Sequence, residues 1–442
     1  MKPRFIALVG LLLLVLTGPP TSAAQTRLIV RTTGGLTSVL NLCSLIGCQV
    51  QGSLDGGLNQ TFLVTTTGNL VFNVTNFTLG LLQSLLGIQS IEPDTLLSLP
   101  QVPLNNIISS GLYDSAPVVY YGTIVTHGYA AQPAAQIIRV SDAQNAFGVS
   151  GSGIVAVIDT GVDPNHPVLA PVLLPGYDFT RNQPGASEWS DLASVGLTSI
   201  DNQNAQPAVV QQSSAAILDQ SSAAILDGSP FVAFGHGTMV SGLVHLVAPS
   251  ANILPLKAFS SDGTGNLSNI IAALYYAAQH NANVVNMSFD MSYSSPALSQ
   301  AISYANKNGL VLVAAAGNES SSARVYPAAF SNSVAGIAST NYNDTRSSFS
   351  NYGSNDVWIA APGEYIISTY PGGTYGSESG TSFSAPFAAG TVALMLSVKQ
   401  PLNQSQAANA LAHAQPLTPD LNNGRLDVYQ AVSSLRNSGW LW

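Results

Sequence analysis

Gly380-Thr381-Ser382-Phe383-Ser384-Ala385-Pro386 sets a serine between a glycine-bearing turn and a Pro386-Phe387-Ala388-Ala389-Gly390 run that reads as the start of a buried helix. A serine hydroxyl is a poor nucleophile until a base sits beside it and a turn holds it out for attack. Three segments upstream supply partners. Val155-Ala156-Val157-Ile158-Asp159-Thr160-Gly161 is an apolar strand ending in a carboxylate, and Phe234-Gly235-His236-Gly237-Thr238 frames a histidine with glycines before an apolar helix. Val311-Leu312-Val313-Ala314-Ala315-Ala316-Gly317-Asn318 is a second buried strand, ending in a side-chain amide. Around them apolar strands alternate with helical periods, the pattern of an α/β domain with a parallel sheet flanked by helices. Strands are predicted at 154–158, 252–257, 284–287, 310–314 and 334–338, and helices at 238–246, 267–279, 295–308 and 384–397.

Each segment alone has a plainer reading. Ser382 could be an ordinary helix N-cap, since serine and threonine are preferred there, and Asp159 an Asp-Thr-Gly turn after a strand. Asp, His, Asn and Ser in that order are the parts of a serine hydrolase, and with all four motifs present the chain resembles the subtilisin-like (subtilase) serine endopeptidases. The Asp, His, Ser order is that of subtilisin itself. The resemblance covers roughly residues 136 to 435. It includes Tyr326-Pro327-Ala328, Ser348-Phe349-Ser350-Asn351-Tyr352-Gly353, Ala361-Pro362-Gly363 and Ile367-Ser368-Thr369-Tyr370-Pro371-Gly372-Gly373.

The resemblance implies hydrolysis of protein or peptide substrates through an acyl-enzyme, with no cofactor needed for the chemistry. Ser382 is then the nucleophile and His236 the general base, while Asp159 orients the imidazole and stabilises its cation. Asn318 donates its amide to the oxyanion beside the Ser382 backbone N–H. The other histidines, at 127, 166, 245, 280 and 413, lack the glycine frame and read as ordinary core or surface residues. Asn318-Glu319-Ser320 is also a glycosylation sequon, which an active-site amide makes incidental. Subtilases often carry structural calcium, but no loop here has clustered carboxylates at the needed spacing, so no metal ligand is assigned.

In subtilases the peptide lies as an extended strand between two edge segments. Gly263-Thr264-Gly265 matches one edge, with Leu267 as a wall of the pocket four residues before the cut; Ser288-Phe289-Asp290 matches the other. Ala315-Ala316-Gly317 matches the lining of the pocket for the residue just before the cut (P1). The chain departs from the family at Phe289-Asp290-Met291, where an aliphatic residue and two glycines are usual, and at Phe383, where methionine is common. With Asp290 and Glu319 near the pocket, the expectation is a basic P1 residue, as in the furin-like branch, if both acids face the pocket and not solvent. The rival readings are a catalytically idle subtilase fold serving as a binding protein and an acid-acting sedolisin. The second is excluded because sedolisins replace the histidine with a glutamate.

The organisation outside this domain reads as follows. Residues 1–24 have a basic start, a run of about a dozen apolar residues and a small-residue site at Ser22-Ala23-Ala24, the plan of a secretory signal peptide. A run that short predicts export, with no membrane span in the mature chain. Residues 25–100 open with Leu28-Ile29-Val30-Arg31-Thr32 and close with Ile91-Glu92-Pro93-Asp94, and resemble the inhibitory α+β propeptide of subtilases. Residues 101–135 are predicted to be an unpatterned connector in or near which maturation occurs, and 136–442 the catalytic domain. Cys43 and Cys48, the two cysteines of the chain, read either as a local disulfide or as two buried thiols. Between Asp159 and His236, Ser213–Asp219 is repeated as Ser221–Asp227 in what reads as a surface insertion.

Charged residues make up 8% of the chain, against an average of about a quarter. A net charge of −9 disfavours a nucleic-acid partner. A surface with few ionisable groups has little to lose when carboxylates protonate, so tolerance of acid is expected, unless the composition is only a lineage bias.

Overall fold

The computed structural model describes residues 25–67, 76–99, 110–193 and 231–437. The expected signal peptide and the tandem repeat lie outside them. The described residues form two compact units, one made of those through Leu96 together with Asn266–Tyr276 and Ser295–Ala301, the other of the remainder.

The first unit carries a four-stranded antiparallel sheet in the order Cys48–Ser53, Thr61–Thr67, Gln25–Thr32, Ile88–Pro93. Alternation along the strands turns Leu28, Val30, Phe62 and Val64 to one face, where Val39 and Leu42 of the helix Gly35–Ile46 cover them. That helix had no expectation attached to it. It ends at Gly47, whose left-handed φ of 70° turns the chain back so that Cys43 and Cys48 are joined as a disulfide. Two acids at the end of the sheet cap helices within the same unit. Asp94 accepts from the Ser268 backbone N–H (2.7 Å) and hydroxyl (2.8 Å) at the start of Leu267–Gln279. Glu92 accepts from the Ala297 N–H (2.8 Å) at the start of Pro296–Lys307. Negative charge is favoured at both positions by the unpaired N–H groups of a helix start.

The second unit is built on an eight-stranded sheet. Its order is Gln183–Pro184, Tyr177–Asp178, Asn252–Lys257, Ile154–Asp159, Val284–Met287, Val311–Ala315, Ala335–Thr340, Ile359–Pro362, parallel throughout except at the first pair. The central strands are continuous apolar runs because both of their faces are buried, the condition that parallel sheets impose. Asp159 stands at the carboxyl end of one central strand and Asn318 just beyond another, the edge at which open α/β sheets place ligands. The helix Thr381–Met395 is buried on all sides and runs through the core, which explains its lack of a polar face. It begins three residues earlier than the pattern predicts, so Ser382 lies inside its first turn.

The stretch expected to be an unpatterned connector is folded from Ser110 onward. It holds a hairpin, Pro117–Tyr120 with Thr123–Thr126, and two short helices, His127–Ala130 and Pro133–Ile137, which bring Tyr129 and Ile138 fully into the core. Elements of four or five residues are shorter than the window in which a hydrophobic period can be recognised.

Candidate active site

The strand ending at Asp159 and the helix His236–Val247 meet through backbone. A Cβ on Gly237 would lie 2.1 Å from the Gly161 carbonyl oxygen, so only glycine lets the two approach so closely. This contact sets the His236 Nδ1 2.7 Å from Asp159 Oδ1, which also accepts the Thr160 N–H at 2.7 Å. Asp159 is fully buried. Burial by itself lowers the imidazole pKa, but the Asp159 charge, its hydrogen bond and the charge of Glu188 outweigh it, and the net shift is upward. With Nδ1 committed to the carboxylate as a donor, Nε2 carries the lone pair of a base.

Ser382 is held from the other side. Pro386 has no N–H to bond the carbonyl four residues before it. That carbonyl, of Ser382, instead accepts the Ser288 hydroxyl at 2.7 Å, and Ser288 Oγ accepts in turn from the Asn286 amide at 2.9 Å. The Ser382 hydroxyl donates to the Ser288 carbonyl at 3.1 Å, so it is turned to the strand end and not to the imidazole. The imidazole packs beside the next residue, with the His236 and Phe383 rings 5.3 Å apart. Catalytic hydrogen bonds are often unformed without substrate. Asn318 is oriented by the same helix start: the Thr381 N–H (3.0 Å) and hydroxyl (2.9 Å) both donate to its Oδ1. Its Nδ2 is thereby turned the opposite way, buried and without a protein partner.

The residues expected to bind substrate divide. Gly263 accepts a backbone hydrogen bond from Leu99 at 2.8 Å, and Ser260 accepts one from Gly263, so this edge already pairs with an extended segment. Leu267, Ala315 and Ala316 are fully buried. Phe289 is 1% exposed and its ring lies 5.3 Å from that of Phe259 in the core. Asp290 takes the opposite direction. A Cβ on Gly317 would meet Asn351 Nδ2 at 2.4 Å, Glu319 Oε2 at 2.7 Å and Asp290 Oδ2 at 3.1 Å, so three polar side chains converge where Gly317, at φ +95°, leaves room. Glu319 Oε2 accepts from Asn351 Nδ2 at 2.7 Å, whereas Asp290 Oδ2 is buried and unpartnered. Burial, then the charge of Glu319, raises the Asp290 carboxyl to about 7.

Residues with no motif of their own complete the site. Glu188, 1% exposed, lies behind the Asp–His pair, and the fully buried Lys257 donates to the Thr160 carbonyl (2.6 Å), the Phe259 carbonyl (2.8 Å) and Asp191 (2.7 Å). A lone charge closing the apolar strand Asn252–Lys257 was the one signal for the lysine; Glu188 gave none. Among the described residues no three His, Cys, Asp or Glu side chains converge as a metal site.

Residues 151–433 match the subtilase family. Thermitase of Thermoactinomyces vulgaris is 34% identical over 295 residues, 64% of this chain and 89% of that protein. The thermophilic serine proteinase of Bacillus sp. (strain AK1) is 33% identical over 292 residues, 65% of this chain and 63% of that one. Subtilisin DY of Bacillus licheniformis is 39% identical over 191 residues, 40% and 69% of the two chains. A solved cold-adapted subtilisin-like serine proteinase aligns at 30% identity and a TM-score of 0.49, over 63% of this chain and 89% of its own. With a parallel sheet carrying an Asp–His pair, a serine in the first turn of a buried helix and a match spanning most of that domain, the chain belongs to the subtilase family of serine endopeptidases.

Proposed function

We propose that the protein is an exported serine endopeptidase, made with an inhibitory propeptide, that uses Ser382, His236, Asp159 and Asn318. On binding substrate the Ser382 hydroxyl turns from the Ser288 carbonyl to His236 Nε2. Its proton passes to that nitrogen as the Oγ–carbonyl bond forms, and the oxyanion receives the Asn318 Nδ2–H and the Ser382 N–H. The C–N bond then breaks as the imidazolium returns the proton to the leaving amine, and water repeats the sequence to release the acyl group. Asp159 keeps its charge throughout.

The observation that carries this reading is the Asn318 amide, whose oxygen is tied down by Thr381 and whose buried Nδ2 is left with nothing to bond. A buried donor without a partner costs about 1–3 kcal/mol, a penalty that an oxyanion removes. In support of the propeptide are the pairing of Leu99 with Gly263 and the helix caps supplied by Glu92 and Asp94. The substrate preference proposed is a lysine or arginine at P1, because the unpartnered Asp290 Oδ2 and Glu319 face the same hollow at Gly317.

The test is the intact mass of the exported protein, wild type beside Ser382→Ala, with fluorophosphonate labelling of each. Shortening by about a hundred residues and labelling confined to the wild type are expected. Identical masses and no label on either would leave an idle binding fold.

A further inference from the structure

Glu188 is buried beneath both halves of the Asp–His pair. Its Oε1 accepts from the Gly235 and Gly237 backbone N–H groups, each at 3.2 Å, which flank His236 at the start of its helix. The same oxygen accepts the Thr160 hydroxyl, next to Asp159, while Oε2 accepts the hydroxyl of Thr238. Thr160 Oγ1 also accepts the Gly237 N–H (2.9 Å) and reaches Asp159 Oδ1 at 3.3 Å, and Thr238 Oγ1 accepts the Asp163 N–H (2.8 Å), so Glu188 is bonded to groups that touch both Asp159 and the histidine helix. Four donors reach one carboxylate, a set that suits its ionised form.

We propose that Glu188 is a positioning residue of the triad, whose ionised carboxylate ties Thr160 to the start of the histidine helix, so that its protonation loosens the Asp159–His236 pair and switches the enzyme off in acid. This rests on the triad assigned above. The groups facing Glu188 are Asp159, His236, Lys257 and Tyr370, from four different elements. Full burial, and secondarily Asp159, raise the carboxyl to about 7, while the two threonines and Lys257 pull downward. The ionised Glu188 carboxylate in turn adds to the upward shift of His236, behind the charge and hydrogen bond of Asp159.

The test is kcat and KM for a chromogenic peptide between pH 5 and 9, for wild type, E188Q, T238V and S382A. E188Q is the neutral isostere. The wild type is expected to lose kcat/KM in acid with a slope of two protons. E188Q should lose roughly 10- to 100-fold in plateau kcat with KM unchanged, fall with a slope of one proton, and have its midpoint at lower pH. T238V keeps the carboxylate but removes a donor to it, so its midpoint should move to higher pH. An E188Q enzyme with lowered melting temperature but wild-type slope, midpoint and kcat overturns the proposal, leaving Glu188 as packing. Where E188Q does not fold, T238V decides: an upward shift upholds the proposal and an unchanged limb overturns it. Wild-type activity in S382A would instead remove the triad itself, and this proposal with it.

Discussion

Asp290 occupies a position where a side chain is unusual for the family, and its chemistry follows from having no partner. One oxygen is buried without a hydrogen bond, Glu319 is its charged neighbour, and the carboxyl is held at about 7 by burial and by that charge. A lysine side chain entering the hollow stays cationic across this range. The ratio of kcat/KM for Lys over Phe at P1 is therefore expected to rise as pH passes upward through 7, and Asp290→Gly should cut that ratio by about tenfold or more. A P1-varied peptide series measures it, and a flat ratio in both enzymes removes the preference. Asn318 gives a second expectation at this scale. Asn318→Ala should lower kcat about 10²–10³-fold with KM little changed, the size of loss that subtilisin itself sets for such a donor. A change in KM alone would mean that the amide binds ground-state substrate and not the oxyanion.

The histidine helix shows what an element adds that its residues do not. Nine residues after His236, on the same helix, His245 is buried beside the equally buried His166, and neither can hold a proton at low cost. Burial, then the nearby His166, lowers His245 to about 4, and burial likewise lowers His166. In the unfolded chain both protonate near 6.5. Above that pH neither contributes a pH dependence; below it the unfolded state takes up protons first, so stability falls as pH drops from about 6.5 toward 4. For His245 alone the loss approaches about 3 kcal/mol. This runs against the acid tolerance expected from a sparsely charged surface, because a low count of charges says nothing of histidines folded neutral. Urea midpoints from pH 7 to 4 should fall for the wild type and fall less for His245→Gln; parallel curves would remove the assignment. The same helix marks how far the sequence could be read. Apolar runs and glycine frames are local, so the central strands, the helix start at Leu267 and the segments that carry Asp159, His236, Asn318 and Ser382 were legible. Glu188, Lys257 and the Thr381 clamp on Asn318 act across separations that no local pattern records, and the elements after Ser110 are too short to carry a period.

At the scale of the whole molecule the proposed preference for a basic P1 residue sets the chain a problem. Between Arg31 and Arg139 the sequence contains no lysine or arginine, so a connector near residues 101–135 offers no basic P1 residue to an enzyme of the proposed specificity. Yet Leu99 is already bonded to Gly263, the edge proposed to hold substrate backbone. A segment tethered in this way reacts at an effective concentration far above any that a free peptide reaches, with effective molarities up to about 10⁵–10⁸ M for well-oriented groups. Such an advantage can offset even the roughly 10⁴- to 10⁵-fold cost of leaving a pocket's buried polar groups unpaired. The first cut is therefore expected to be intramolecular and at a non-basic residue. Its rate constant, followed by mass after refolding the proenzyme, should stay constant over a hundredfold dilution, and Asp290→Gly should leave it unchanged or raise it. A rate that falls in proportion to concentration, or a cut that appears only when mature enzyme is added to Ser382→Ala proenzyme, would mean that processing is bimolecular and that the Leu99 segment is bound but not committed to cleavage.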